Sequence, residues 1–235
     1  MVKIGYFKRP ILRGRDIKRY SHEFADLYLI ATFPSLKIDI DEFPAVKNHL
    51  LGFGHDRLRQ TGDKGARKKT NNKWYETQDS ISYWEDFSKQ KIIYPNMTKF
   101  LPFHLDNEGF IQNDKSFMIT GENLYFLNAF LNSSIFKYCF INNFPELQGG
   151  TREIRKIFLD KIPVLHVSDE INLYFKNLIE EIQKLIINQQ STLKTEIEID
   201  QKIFDIMEDK NSIAEDHQYN FLLLQLNLNL LQFVV

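Results

Sequence analysis

Along the first 120 residues the apolar positions come in short runs cut by proline and glycine, and beyond them they recur at helical spacing. Asp26–Phe33 predicts a strand ended by Pro34. Phe43–Leu51 predicts a helix with Pro44 in its first turn and Val46, Leu50 and Leu51 at helical spacing. Ser80–Phe87 predicts a short helix presenting Tyr83, Trp84 and Phe87. Strands follow at Lys91–Tyr94, Phe103–Leu105 and Phe117–Ile119, with a turn at Asn107–Gly109. From Asn123 to Phe140, Leu124, Leu127, Leu131 and Ile135 mark an apolar helix, in which Asn132-Ser133-Ser134 is a kink or a junction of two helices. Ile157–Val164 predicts a strand ended by or containing Pro163. The clearest helix is Asp169–Asn188, where Ile171, Phe175, Leu178, Ile182, Leu185 and Ile186 form one face and Asp169 and Glu170 sit at the positive end of the helix dipole. A shorter helix is expected over Ile197–Met207, and Phe221–Val235 shows no period that assigns it. This order predicts an α+β fold, β-rich first and helical towards the C-terminus, in three parts: residues 1–165, 166–210 and a tail of uncertain structure, 211–235.

Composition narrows the class. At 43% hydrophobic and 26% charged residues, with 20 phenylalanines and 10 tyrosines, the chain resembles an ordinary globular protein able to build a large core. The single cysteine, Cys139, excludes an internal disulfide and a cysteine-rich zinc site, and its apolar surroundings predict a buried, inert thiol. The N-terminus is rich in Lys and Arg without an apolar leader, and no apolar run reaches the roughly 18 residues of a membrane span, so a cytoplasmic protein with no membrane partner is expected. The near-zero net charge of −1 hides an asymmetry: the first hundred residues carry 19 Lys and Arg against 12 Asp and Glu, and the excess is reversed thereafter. The N-terminal part is therefore the candidate for an anionic ligand.

Within it, Leu51–Pro95 concentrates the signal. Arg57, Arg59, Lys64, Arg67, Lys68 and Lys69 precede Trp74, Tyr75, Tyr83 and Trp84, and a turn at Gly62–Gly65 lies among the cations. Cations hold phosphates, guanidinium groups read guanine edges, and aromatics stack or brace. The competing reading is a solvated loop above aromatic core residues, with Trp74 and Trp84 as its scaffold. Two further turns stand out. Gly14 between Arg13 and Arg15 suggests a tight turn bringing two guanidinium groups together, or a surface turn in which Asp16 screens Arg15. Gly149-Gly150-Thr151-Arg152 suggests a close-approach backbone with Thr151 capping a following helix, Glu153 in its first turn and Arg152 turned to a phosphate.

Chemistry of other kinds is missing. The six histidines, His22, His49, His55, His104, His166 and His217, show no metal-ligand spacing. There is no phosphate-cradling GxxxxGK[ST] loop, no GxSxG elbow, no glycine-rich dinucleotide or methyl-donor loop, no NPPY adenine-methylation motif and no recognisable nuclease cluster. His55-Asp56 beside arginines is too weak a pair to carry catalysis. No catalytic residue and no metal or cofactor site is expected in this chain.

Five segments, in order, resemble the TaqI-like C-terminal specificity domain of adenine-specific DNA methyltransferases and fused type II restriction–modification enzymes, including type IIG. They are KRPILRGRDIKRY (Lys8–Tyr20), HDRL (His55–Leu58), WYE…YWEDFSKQKIIYP (Trp74–Pro95), YFLNAFLNSSIFKYCF (Tyr125–Phe140) and GGTREIRKIFLDKIPV (Gly149–Val164). The Asp169–Asn188 helix and Ile199–Phe204 are similar to the helices that end that family, and after Glu208 the likeness fades. The resemblance implies a target-recognition domain that reads double-stranded DNA. It also implies a methyltransferase domain or subunit, fused upstream or separate, that binds S-adenosylmethionine and methylates a flipped-out adenine at N6. With Met1 close to the first motif, the chain looks like the C-terminal specificity part of such an enzyme or a separately encoded subunit. The DNA contacts expected on this basis are Arg13, Arg15, Lys18, Arg57, Arg59, Lys64, Arg67, Lys68, Lys69, Lys73, Gly149, Gly150, Thr151 and Arg152. The alternatives are a docking module of a larger enzyme, built on the acidic Asp169–Asn188 helix without direct DNA readout, and a catalytic fragment such as a nuclease.

Overall fold

A computed structural model of the chain describes residues 8–211. In chain order these form strands β1 (Lys8–Leu12), β2 (Ile17–Lys18), β3 (Ser21–His22) and β4 (Tyr28–Ile30), then helices α1 (Pro44–Leu51) and α2 (His55–Leu58). Strands β5 (Lys91–Pro95), β6 (Met97–Thr98), β7 (His104–Asp106), β8 (Ile111–Gln112) and β9 (Ser116–Ile119) follow, then helices α3 (Leu124–Leu131) and α4 (Ser134–Asn143). Strand β10 (Arg152–Glu153) and helices α5 (Lys156–Leu159), α6 (Asp169–Ile187) and α7 (Leu193–Asn211) complete the described chain. Short sheets and seven helices make the fold α+β. None of the described helices is long and apolar enough to cross a membrane.

The chain divides into two compact units. The first takes the residues up to Ile11, Asp26–Lys89 and Gly109–Ile111. Its sheet has the order β4-β1-β8, with Lys8 opposite Ile30 and Pro10 opposite Tyr28. Its small core is built from Ala31, Phe33, Ile38, Ile40, Tyr75, Phe87 and Phe110. Only Tyr28–Ile30 of the expected Asp26–Phe33 strand pairs, because Phe33 leads directly into a 3-10 turn at Pro34–Leu36. Pro44 opens α1 as expected.

The second unit takes Leu12–Ala25, Gln90–Glu108 and the chain from Gln112 onward, and it holds the main core. Its central sheet has the order β7-β5-β9, all antiparallel. Every residue of β5 is buried, so this strand reads as a continuous Lys-Ile-Ile-Tyr-Pro run instead of alternating. Phe126, Phe130, Phe136 and Phe175 cover this core from the helices, with ring centroids of Phe126 and Phe175 5.2 Å apart. The apolar stripe of α6 buries Phe175, Leu178, Ile179 and Ile182, and α7 adds Ile199, Ile203, Ile206 and Met207 at three- and four-residue steps. Residues 166–210 thus share one core with the strands before them, and the contacts do not divide at residue 165.

Asn132 and Ser133 make the expected interruption a junction of two helices. The Asn132 side chain receives the Phe103 N–H (3.3 Å) and donates to the Phe103 carbonyl (2.8 Å), and Ser133 caps α4 by accepting from the Phe136 N–H (3.1 Å). Further expectations fail. Ile157–Val164 is not a strand: Lys156–Leu159 turns as α5, with Phe158, Leu159 and Ile162 inward and Ile157 exposed, a pattern with helical spacing in a run too short to tell helix from strand. Helix α7 begins four residues before the expected Ile197, because buried Thr195 and ion-paired Glu196 extend it through polar positions. The Phe221–Val235 tail lies outside the described residues.

Candidate nucleic-acid interface

The Arg13–Arg15 turn is a 3-10 turn, Gly14–Asp16, in the second unit. A Cβ on Gly14 would stand 3.0 Å from the Lys115 carbonyl oxygen and 3.3 Å from Pro95 Cβ, a tight fit, so the close approach of β5 and the β8–β9 loop favours glycine here. Asp16 is buried and takes two hydrogen bonds from the Arg13 guanidinium, 2.8 Å each, plus the Arg13 N–H. These bonds hold the Asp16 carboxyl below its usual range and raise Arg13. Asp16 therefore pairs with Arg13 and not with Arg15, whose exposed guanidinium has no ion pair among the described residues. Lys18 pairs with exposed Glu23 at 3.2 Å.

The Gly149–Arg152 turn is not a helix start. Gly149 and Gly150 both adopt positive φ, 72° and 78°, reversing the chain, and the Leu147 N–H closes the loop on the Thr151 carbonyl at 2.6 Å. Thr151 is extended, and Arg152–Glu153 pairs antiparallel with Met97–Thr98, with the Ile154 N–H continuing onto the Asn96 carbonyl at 2.8 Å. Pairing with Met97–Thr98 and the Ile154–Asn96 bond keep the chain extended up to the buried Ile154, so no helix cap forms. The Arg152 guanidinium donates to the Phe144 carbonyl and to Glu146 (3.0 Å), so most of its capacity holds the loop.

This pairing gathers the two turns onto one surface. A cavity of about 810 Å³ is lined by Arg13, Arg15, Lys18, Arg19 and Lys115 over an apolar floor that includes Ile17, Pro95 and Met97, with no acid on its walls. A second, of about 530 Å³, shares Arg19 and Phe100 with the first and adds Lys99, Lys137, Gly150 and Arg152. Glu196, the acid on its wall, is ion-paired to Arg19, and that contact keeps its carboxyl below the usual range against the opposing effect of burial. Arg19 also donates to the Asn132 carbonyl at 2.6 Å, anchoring the shared wall to the helix junction. Lys99-Phe100, Lys115 and Lys137 were invisible as site residues in the sequence, lying far apart with no local charge cluster.

The basic stretch of the first unit is differently built. Arg67 is half-buried without an acid partner among the described residues: it donates to the carbonyls of Leu58 (3.0 Å), Trp74 (3.2 Å) and Glu76 (2.5 Å), and burial lowers its pKa. Gln60 adds bonds to the Lys73 and Glu76 carbonyls, and Thr70 donates to Gln60. Arg67 is therefore the brace of the loop and not one of its exposed cations. Arg59 pairs with Asp56 at 3.2 Å, and Lys73 lies against the Tyr75 ring. Arg57, Lys64, Lys68 and Lys69 are exposed without an ion pair among the described residues. Trp74 packs edge-on against His55 and Tyr75, and Trp84 against Phe33 and Phe87 with the Arg9 guanidinium over its ring, so both indoles are half-buried supports. Cys139 is buried, and burial pushes its thiol up to about 11, too high for a reactive thiolate.

The second unit thus carries two adjoining grooves lined mainly by cations, and the first unit an exposed set of Arg57, Lys64, Lys68 and Lys69. The TaqI-like C-terminal specificity domain model matches residues 9–164, and the chain belongs to that family. Membership places it in target recognition within restriction–modification methyltransferases. No curated protein matches the chain.

Proposed function

We propose that the chain reads a specific double-stranded DNA sequence for an adenine-N6 DNA methyltransferase, acting as its specificity part. The supporting observation is the pair of adjoining grooves in the second unit, where cations from five separated segments line the walls and Glu196 is neutralised by Arg19. Duplex DNA supplies two rows of phosphates to such walls and base edges between them. S-adenosylmethionine belongs to the methyltransferase part, fused or separate. The first groove has no acid to hold a cofactor amino group or ribose hydroxyl, and the acid of the second is already paired. With DNA as the ligand, the expected compartment is the cytoplasm.

The test is selection from a pool of random duplexes, by the full chain and by the chain joined to its methyltransferase part. A consensus sequence bound in a salt-sensitive manner supports the reading; no enrichment and no salt dependence overturns it. A docking role draws on a different observation: Leu173 and Ile187 on α6 and Leu193 and Ile197 on α7 are exposed apolar side chains. The two roles are compatible, and a pull-down of the purified methyltransferase part by a Leu193→Ser/Ile197→Ser variant that still binds DNA separates them.

A further inference from the structure

Phe100 is 76% exposed, although burying such a ring is worth roughly 1.5–3 kcal/mol. Its backbone is held firmly. Its N–H donates to Thr98 Oγ1 (3.0 Å), and the Thr98 hydroxyl donates back to its carbonyl (2.9 Å). Thr98 is itself paired with Arg152 across β6 and β10, and Leu101 and Pro102, which follow Phe100, are buried. The ring is shared by both grooves, with Arg15, Lys18 and Lys115 lining one and Lys99, Lys137 and Arg152 the other. A ring without hydrogen-bonding groups, flanked by cations on two sides, fits the face of a nucleobase lying between phosphates.

We propose that Phe100 is a wedge that stacks on a nucleobase of the bound duplex, entering a base step loosened by the protein. This rests on the DNA reading above and names how that site engages the bases. The ring takes a base face and carries little sequence information. Its contribution is to hold an unstacked step open, while the surrounding cations hold the backbone.

The experiment measures binding of the full chain at low salt, by fluorescence anisotropy, to one 20-base-pair duplex of mixed sequence and to the same duplex with a single central abasic site. The two probes carry the same phosphates, but the second has already lost the stacking that a wedge must break. The wild-type chain is expected to prefer the abasic duplex by at least about tenfold, because unstacking a step, on the order of a few kcal/mol, is largely avoided there. Phe100→Ala should lose this preference and keep the salt slope. Phe100→Trp should keep it, and the added indole fluorescence should fall on binding. The wedge is overturned if Phe100→Ala retains the wild-type preference, or if the wild-type chain binds both duplexes equally. If the wild-type chain, alone and joined to its methyltransferase part, binds neither duplex, the DNA reading itself falls and the wedge with it.

Discussion

Lys91 and Asp106 face each other across β5 and β7, fully buried, as an ion pair. Such a pair is a weak net stabiliser, but breaking it leaves an uncompensated charge in the core. Lys91→Met should therefore lower unfolding stability by about 3–5 kcal/mol, and Lys91→Met/Asp106→Leu should recover much of that loss, both read from urea unfolding. Nearby, His104 Nε2 and His22 Nδ1 lie 3.0 Å apart, and burial, reinforced by the His22 charge, lowers the His104 pKa from 6.5 to about 4. The unfolded chain binds a proton there between about pH 6.5 and 4 and the folded chain does not. Stability is thus undiminished above that window and falls as pH drops through it, by a loss on the order of 3 kcal/mol. Urea midpoints compared at pH 7.5 and pH 5 should show this fall, and His104→Gln should flatten it. At this scale charge alone misleads: Arg67 and Arg57 look alike in the sequence, yet carbonyl partners from distant residues turn only Arg67 into a brace.

Among the elements, strong periodicity was legible and short apolar runs were not. Helix α6 follows its stripe from Asp169 to Ile187 because a wide apolar face must be buried whatever it packs on. Lys156–Leu159 and Arg152–Glu153 were misread because neighbours decide them: Met97–Thr98 pairs with Arg152–Glu153 and keeps it extended, and Phe158 turns inward against Phe144. The helical end and the strands share one core through Phe175. Phe175→Ala should cost about 3–5 kcal/mol and, in the second unit, lower one cooperative transition shared by sheet and helices. A helical pair that melts separately from the β5 sheet, seen by hydrogen exchange, would contradict a shared core.

At the scale of the whole molecule, the positive N-terminal half is divided between two units, and only part of it is free for a ligand. The groove cations Arg15, Lys99 and Lys137 have no ion pair among the described residues, and Lys115 has only an exposed partner, Asp114. Each phosphate contact contributes about 0.9 to the slope of log affinity against log salt. Changing these four to alanine should make the slope shallower by about 3 to 4, with the fold unchanged by circular dichroism. An unchanged slope would move the DNA contacts out of the groove, leaving the exposed Arg57, Lys64, Lys68 and Lys69 of the first unit as the candidate surface.

Residue order alone determined the α+β class, helix α6, an interruption of the apolar helix at Asn132 and the family, because each rests on local periodicity or on ordered motifs that survive without neighbours. It also located the Arg13–Arg15 and Gly149–Arg152 turns, but not their company. The antiparallel pairing of Met97–Thr98 with Arg152–Glu153 is a contact more than fifty residues long in sequence, and it helps bring Gly150 and Arg152 to the groove that Phe100 and Arg19 share. Tertiary structure likewise decided which cations are free. A guanidinium is spent or spare according to the carbonyls and carboxylates that distant segments bring to it, and those partners leave no mark in the residues beside it.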